Sequence, residues 1–287
     1  MTAPRFGIFL AQGDPYPVLV RKWRHYEELG IESIWNPDHF LRPTDPTAPM
    51  FEGWTTLAAL ASETSRIRMG ALVSSNLLRH PALLAQQAIT VDHISGGRLE
   101  MGVGCGWFEE EHRRFRIPLL EPGVRVDRFS EAIEIIDRLL RGETVTYEGE
   151  HYQLSEAKLR PYPVQLPRPP LTLAAHRPRM LRICARYADR WNSIGSPEDM
   201  AERNRILDEE CERIGRDPAG IIRSVFMNAA DPAARGLPDV WTSAGVFSEV
   251  VGRYTEAGMG EFVINQPRPG QQATADAILT EAIGHSV

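Results

Sequence analysis

The chain has 287 residues, 43% of them hydrophobic, and a formal charge of −6 at pH 7. That length and apolar content can bury a large core, while an acidic balance with no run of Lys or Arg argues against nucleic acid or an anionic membrane as the main partner. Cys105, Cys184 and Cys211 are widely spaced with no Cys-x-x-Cys pair, which argues against a disulfide framework or structural zinc and points to a reducing, cytoplasmic setting. The opening stretch Met1–Pro17 lacks a basic start and a long apolar run, so neither a signal region nor a membrane span is expected.

In chain order, Arg5 to Leu10 reads as a first strand, and Leu19 to Leu29 as a helix that closes on Gly30. Ser33 to Asn36, the apolar stretch Thr55 to Glu63, and the run Ile67 to Val73 follow; continuous apolar runs suit strands covered on both faces. Pro81 can open a helix that passes Asp92-His93 and stops at Gly96-Gly97, after which Leu99 to Val103 reads as a further strand. Val126, Phe129, Ile133, Ile136 and Leu140 keep helical spacing up to Gly142.

Residues 143–170 break the rhythm. Thr144 to Tyr152 reads as a hairpin, and Pro161, Pro163, Pro167, Pro169 and Pro170 follow it, so the segment is expected to be an insertion between units four and five. Alternation resumes with Leu171 to Ala174, a helix around Met180 to Tyr187, Trp191 to Ile194, a helix capped by Ser196 and Pro197, then Ile221 to Met227, Val246 to Glu256, Glu261 to Asn265 and a closing helix. About eight β-then-α units in this length fit a (β/α)₈ TIM barrel better than a doubly wound sheet, with 1–287 as one domain. Chemistry in such barrels sits at the C-terminal ends of the strands.

Asp38-His39 follows the second strand and sets a titratable pair at that rim; a histidine there can move protons near neutral pH. Gly102-x-Gly104-x-Gly106 lacks the last glycine of a dinucleotide fingerprint; it remains either a turn that lets backbone approach a ring or phosphate, or a tight strand-to-helix turn. Ala174-Ala175-His176-Arg177 opens a helix and, with Arg179, is either an anion seat or a set of solvated arginines. Glu109-Glu110-Glu111-His112 reads as a solvated helix start, because a carboxylate metal site would need a second copy of its Glu-x-x-His spacing. No His-Glu-x-x-His, Walker loop or Gly-x-Ser-x-Gly occurs, no metal site is expected, and Cys105 reads as a small turn residue.

Three segments in this order, Ser33-Ile34-Trp35 with Asp38-His39-Phe40, Arg98 to Trp107, and Leu181 to Asn192, resemble the bacterial luciferase-like monooxygenase family nearly end to end. The helix Arg125 to Ala132 and the segment Tyr147 to Tyr152 look like that family's insertion region. The resemblance implies a barrel that binds coenzyme F420, or alternatively flavin mononucleotide (FMN), at the strand C-termini, and acts on a small organic substrate as a homodimer. By the same match His39 would be acid/base or charge stabiliser, with Asp38 setting its tautomer or touching the cofactor. Ala71, Leu72, Val73 and Ser74 would form a bulge, often with a cis non-proline bond, against the central ring, and Gly104, Gly106 and Trp107 would line the ring. Ala175, His176 and Arg177 would meet the cofactor phosphate, although Ala174-Ala175 stands where many relatives carry Gly-Gly and leaves less room.

The leading expectation is therefore hydride transfer between reduced F420 and a small organic molecule. The alternatives are an FMNH2-dependent monooxygenase that uses O2 and a non-catalytic cofactor- or ligand-binding barrel. Loops around Asp14 to Pro17, Arg42 to Phe51 and Asp231 to Gly245 would enclose the substrate, with Phe51, Trp54, Trp107 and Trp241 forming an apolar pocket or simply core.

Overall fold

Eleven strand segments and nine helices alternate in the computed structural model, which describes residues 3–227 and 238–284. The barrel strands are β1 (Arg5–Phe9), β2 (Ser33–Asn36), β3 (Arg68–Ala71), β4 (Ser74–Ser75), β5 (Leu99–Gly104), β8 (Leu171–Ala174), β9 (Arg190–Ser193), β10 (Ile222–Met227) and β11 (Glu261–Asn265). All pair in parallel, and the sheet closes because β3 and β4 both pair with β5. Those two short strands are one barrel position interrupted at Leu72-Val73, whose peptide bond is cis. Nine segments thus occupy eight positions of a closed parallel (β/α)₈ barrel, as expected from the alternation.

The helices α1 (Tyr16–Glu28), α2 (Gly53–Ser62), α3 (Pro81–Ser95), α4 (Glu109–Phe115), α5 (Pro122–Leu140), α6 (Pro178–Tyr187), α7 (Pro197–Arg213), α8 (Ala244–Glu256) and α9 (Gln272–Gly284) alternate with the barrel strands in the chain. Their starts carry the expected signals: Pro81, Pro122, Pro178 and Pro197 open helices, and Ser196 with Asp199 forms a capping box. Thr55 to Glu63 falls in α2, whose N-terminus is capped by the Glu52 carboxylate accepting from Trp54 N and Thr55 N. The segment between α5 and β8 carries an antiparallel hairpin outside the barrel sheet, β6 (Val145–Glu148) with β7 (Gln153–Ala157). Glu131 of α5 fastens it by accepting from the N–H groups of Glu150, His151 and Tyr152. Asp92 of α3 holds the proline-rich continuation through Val164 N and Gln165 N.

Alternating strand residues point inward and outward. The outward set, including Ile8, Ile34, Met69, Met101, Leu171, Leu173, Trp191, Phe262 and Ile264, is buried under the helices. Inside, Trp35 fills the barrel, and Gly7 and Gly70 make room for it: a Cβ at Gly7 would stand 3.2 Å from its indole nitrogen, and one at Gly70 3.0 Å from its ring. Near the N-terminal ends of the strands, Arg190 sits among Glu100, Glu261 and Thr172, over the face of Trp35, and Arg68 joins Glu100 from the edge. Glu261 has a raised pKa because burial outweighs the attraction of Arg190. This end of the barrel is plugged, which leaves the C-terminal rim for a site.

Candidate active site

At the end of β2, Asn36 donates from Nδ2 to Gly53 O (3.0 Å), and Leu72 N donates to Asn36 O (2.9 Å), so this rim is tied to α2 and to the β3–β4 break. Two residues on, Asp38 is buried and its carboxylate accepts from Ser75 N (3.2 Å) and from both terminal nitrogens of Arg79, the Nη2 contact being 2.9 Å. Arg79 also faces Glu52; although burial works against its charge, Asp38 and Glu52 raise its pKa above the ordinary value. Asp38 therefore pins the segment that follows the cis bond.

The partner of His39 is Glu111, not Asp38. Glu111 is 1% exposed, and its Oε1 lies 3.1 Å from His39 Nδ1 while Oε2 accepts from Phe40 N and, at 3.2 Å, Leu41 N. Burial by itself would push this carboxyl up, but the bond from His39, the charge of His39 and the two backbone N–H groups together hold it below its ordinary value. It is thus an anion at neutral pH, and a carboxylate only accepts, so the bond to it is donated by Nδ1–H and Nε2 is the ring nitrogen left for a further partner. Trp107 and Phe108 meet the imidazole edge-on at 5.8 and 5.7 Å.

The expectation of a solvated start for Glu109 to His112 is corrected here. Glu109 is exposed and the half-buried Glu110 pairs with Arg113 and Arg114, whereas Glu111 and His112 are buried. A signal was present in the sequence: at helical spacing, Phe108 at the N-cap shares one side with Glu111 and His112, and its ring marks the side that turns inward.

Ala71, Leu72, Val73 and Ser74 form the break between β3 and β4, and Ser74 Oγ accepts from the indole of buried Trp54 (2.9 Å). Gly104 faces this break from β5: a Cβ there would lie 2.6 Å from Val73 Cγ2 and 3.8 Å from the Ala174 Cβ. Val73, Gly104 and Ala174 therefore share one side of the rim, with a smooth surface that a side chain at 104 would fill. Asn76, whose N–H donates to Gly104 O (2.9 Å), keeps a buried Nδ2 with no partner, and its Oδ1 is 3.4 Å from Tyr152 Oη of the hairpin. Gly106 adopts a positive φ of 81° beside Ser75 and Leu77, and its carbonyl accepts from Arg125 Nη1 (2.6 Å). A cradle of glycine and small apolar side chains and an unpaired donor at its edge fit a flat, heteroatom-bearing ring system such as a flavin or deazaflavin. Cys105 is partly buried, and burial pushes its thiol up, in keeping with a turn residue.

The third expected cluster is only partly available. Ala175 is buried and its N–H is already given to Asn192 O (3.1 Å). His176 bonds Ser193 through Nδ1 (2.8 Å), Arg179 pairs with Asp127, and Arg177 is exposed at the N-cap of α6, where no side chain caps the helix. Of the four aromatics expected around the substrate, Trp54 and Trp241 are core, with Trp241 donating to Asn265 O (2.8 Å), while Phe51 and Trp107 are exposed. Of the third enclosing loop, 231–237 lie outside the described residues. Among the described residues no helix is long and apolar enough to cross a membrane.

With this geometry in view, residues 2–235 match the model of the luciferase-like monooxygenase family. The chain belongs to that family. Membership makes it an oxidoreductase, and the barrel, the cis bond and the rim described above are the frame on which it is built. It is 32% identical over 216 residues to the F420-dependent glucose-6-phosphate dehydrogenase of Kineococcus radiotolerans (strain ATCC BAA-149 / DSM 14245 / SRS30216), a match that covers 72% of this chain and 63% of that one. Among solved structures, an F420-dependent secondary alcohol dehydrogenase in complex with an F420-acetone adduct superposes with a TM-score of 0.87 at 18% identity, covering all of both chains. The long-chain alkane monooxygenase LadA superposes with a TM-score of 0.81 at 14% identity, covering 100% of this chain and 92% of that one. At these identities the structural likeness is one of fold.

Proposed function

We propose that this luciferase-like oxidoreductase transfers a hydride between coenzyme F420 and the carbinol or carbonyl carbon of an organic substrate, with His39 moving the accompanying proton. The observation that carries this reading is the His39–Glu111 pair: a carboxylate holds Nδ1–H at 3.1 Å and leaves Nε2 as a base at the barrel rim. F420, when bound, supplies or accepts the two electrons as a hydride. As the carbinol C–H bond gives up its electron pair, His39 Nε2 takes the hydroxyl proton, and in the reverse direction it returns that proton to the carbonyl oxygen. Glu111 keeps the ring in the required tautomer and offsets the positive charge that His39 gains. Val73, Gly104 and Ala174 would seat the ring of the cofactor, and Asp38 would support that seat through Ser75 and Arg79. His176 and Arg177, beside the uncapped start of α6, would meet its phosphate.

F420 is favoured by the relatives whose own activity depends on it. The likeness to an alkane monooxygenase supports a second reading, in which FMNH2 takes the same seat and O2 is consumed. Titrating the purified protein with each cofactor, and following turnover with and without oxygen, separates the two. Expected are tight binding of F420 and oxygen-independent turnover; binding of FMN alone with oxygen uptake would sink the hydride reading. His39→Ala should lower turnover by about 10²–10⁴-fold while leaving cofactor binding measurable, and wild-type turnover in that variant would remove His39 from its role.

A further inference from the structure

We infer that the substrate carries an uncharged aliphatic or aromatic chain, which lies on a rim of aromatic side chains beside His39; the inference rests on the reading of His39 as the proton carrier. Trp107 is 62% exposed, Phe115 47% and Phe40 45%, large values for rings in a folded chain with a well-filled core. They are not scattered. Phe40 and Phe115 approach at 4.7 Å, Trp107 meets Phe108 at 5.3 Å, and Trp107 and Phe108 both touch the imidazole of His39. Glu111 binds the loop of Phe40 to α4, which carries Phe115, so both halves of the rim are fixed by the same carboxylate that orients the base.

Gln12 ties the loop of a further exposed ring, Phe51, to the chain just before Asp38-His39 by donating to Pro37 O (2.9 Å) and Phe51 O (3.0 Å). A reacting hydroxyl at His39 Nε2 therefore has apolar surface directly beside it. Binding sites of this kind combine a mainly apolar wall with a few placed polar groups. A polar headgroup at this position would be desolvated against rings that offer it at most the Trp107 indole N–H, whereas a chain of methylenes gains with each group it buries. Continuity with the base sets this rim apart from an apolar face awaiting a protein.

The test is a calorimetric titration of the protein, saturated with oxidised F420, with 2-alkanones from butanone to decanone, a pairing of two oxidised partners that cannot turn over. Affinity is expected to rise by about threefold per added methylene over at least three steps, with heat-capacity changes that grow more negative. Phe115→Ala and, independently, Phe40→Ala should each reduce that gain. Affinity that does not change with chain length overturns the inference. So does an unchanged gain in both variants together with an altered sedimentation coefficient, which would make the rim a contact between copies of the chain. His39→Ala separates this from the function proposed above: wild-type turnover there defeats the proton role and leaves the chain-length dependence standing, and the converse pattern defeats only the rim.

Discussion

His39 and Glu111 form a pair in which each fixes the other. Three donors converge on one buried carboxylate, so Glu111→Ala strands the Phe40 and Leu41 N–H groups and releases the imidazole. The expected loss of stability is about 2–3 kcal/mol, read from denaturant midpoints. Glu111→Gln keeps the shape and removes the charge; turnover should fall about 10²-fold or more, mainly in kcat, because the amide can present N–H to Nδ1 and reverse the tautomer. Glu111 has a depressed pKa in the fold, so the stability it contributes is present above its ordinary value of 4.5 and is lost as pH falls through the lower folded value. The stability gap between the wild type and Glu111→Gln should accordingly be constant near neutrality and shrink below about pH 4.5 in unfolding measurements across pH.

At the scale of elements, the β3–β4 break and the end of β5 make the seat together. Gly104→Ala would bring a methyl to 2.6 Å from Val73 Cγ2, and a β-branched side chain has little freedom to retreat. The variant is expected to lose about 1–3 kcal/mol through overpacking and to bind the cofactor at least tenfold more weakly by direct titration. Unchanged affinity would show that position 104 does not face the ring. The hairpin is a second case in which distant elements meet: Tyr152 from the loop between β6 and β7 reaches Arg128 of α5 and Asn76 after β4, so the segment that looked like an interruption of the barrel contributes to the wall of its rim.

For the whole molecule, the division into a sealed floor and an open rim follows from what the strands point inward. Arg190 stands between Glu100 and Glu261, all three nearly inaccessible to water. Replacing it with Met leaves Glu261 buried without a cation and Glu100 with Arg68 alone, and a cost of about 3–5 kcal/mol at pH 7 is expected. Glu261 has a raised pKa in the fold, so its share of stability is present below the ordinary value of 4.5 and is lost as pH rises through the higher folded value. The deficit of Arg190→Met should therefore narrow as pH is lowered from 7, a trend that unfolding curves across pH would reveal, and a pH-independent deficit would contradict the buried placement of Glu261 beside Arg190.

Periodicity and punctuation were enough to read the barrel. Apolar runs covered on both faces, Pro-opened helices and regular alternation are local consequences of burial and backbone geometry, and so they survive in the linear chain. The turn after β2 was legible for the same reason, since Asp38-His39 stands where an apolar strand ends. The partners of that pair were not legible. Glu111 lies 72 positions from His39 in a run of three glutamates whose composition reads as solvated, and Arg79 reaches Asp38 from the far side of a cis bond. Ala174-Ala175 departs from the Gly-Gly of many relatives, and only the fold shows that the Ala175 N–H is given to a neighbouring strand. Which donor meets which acceptor depends on how strands distant in the chain line up once the barrel closes, and that register exists only in three dimensions.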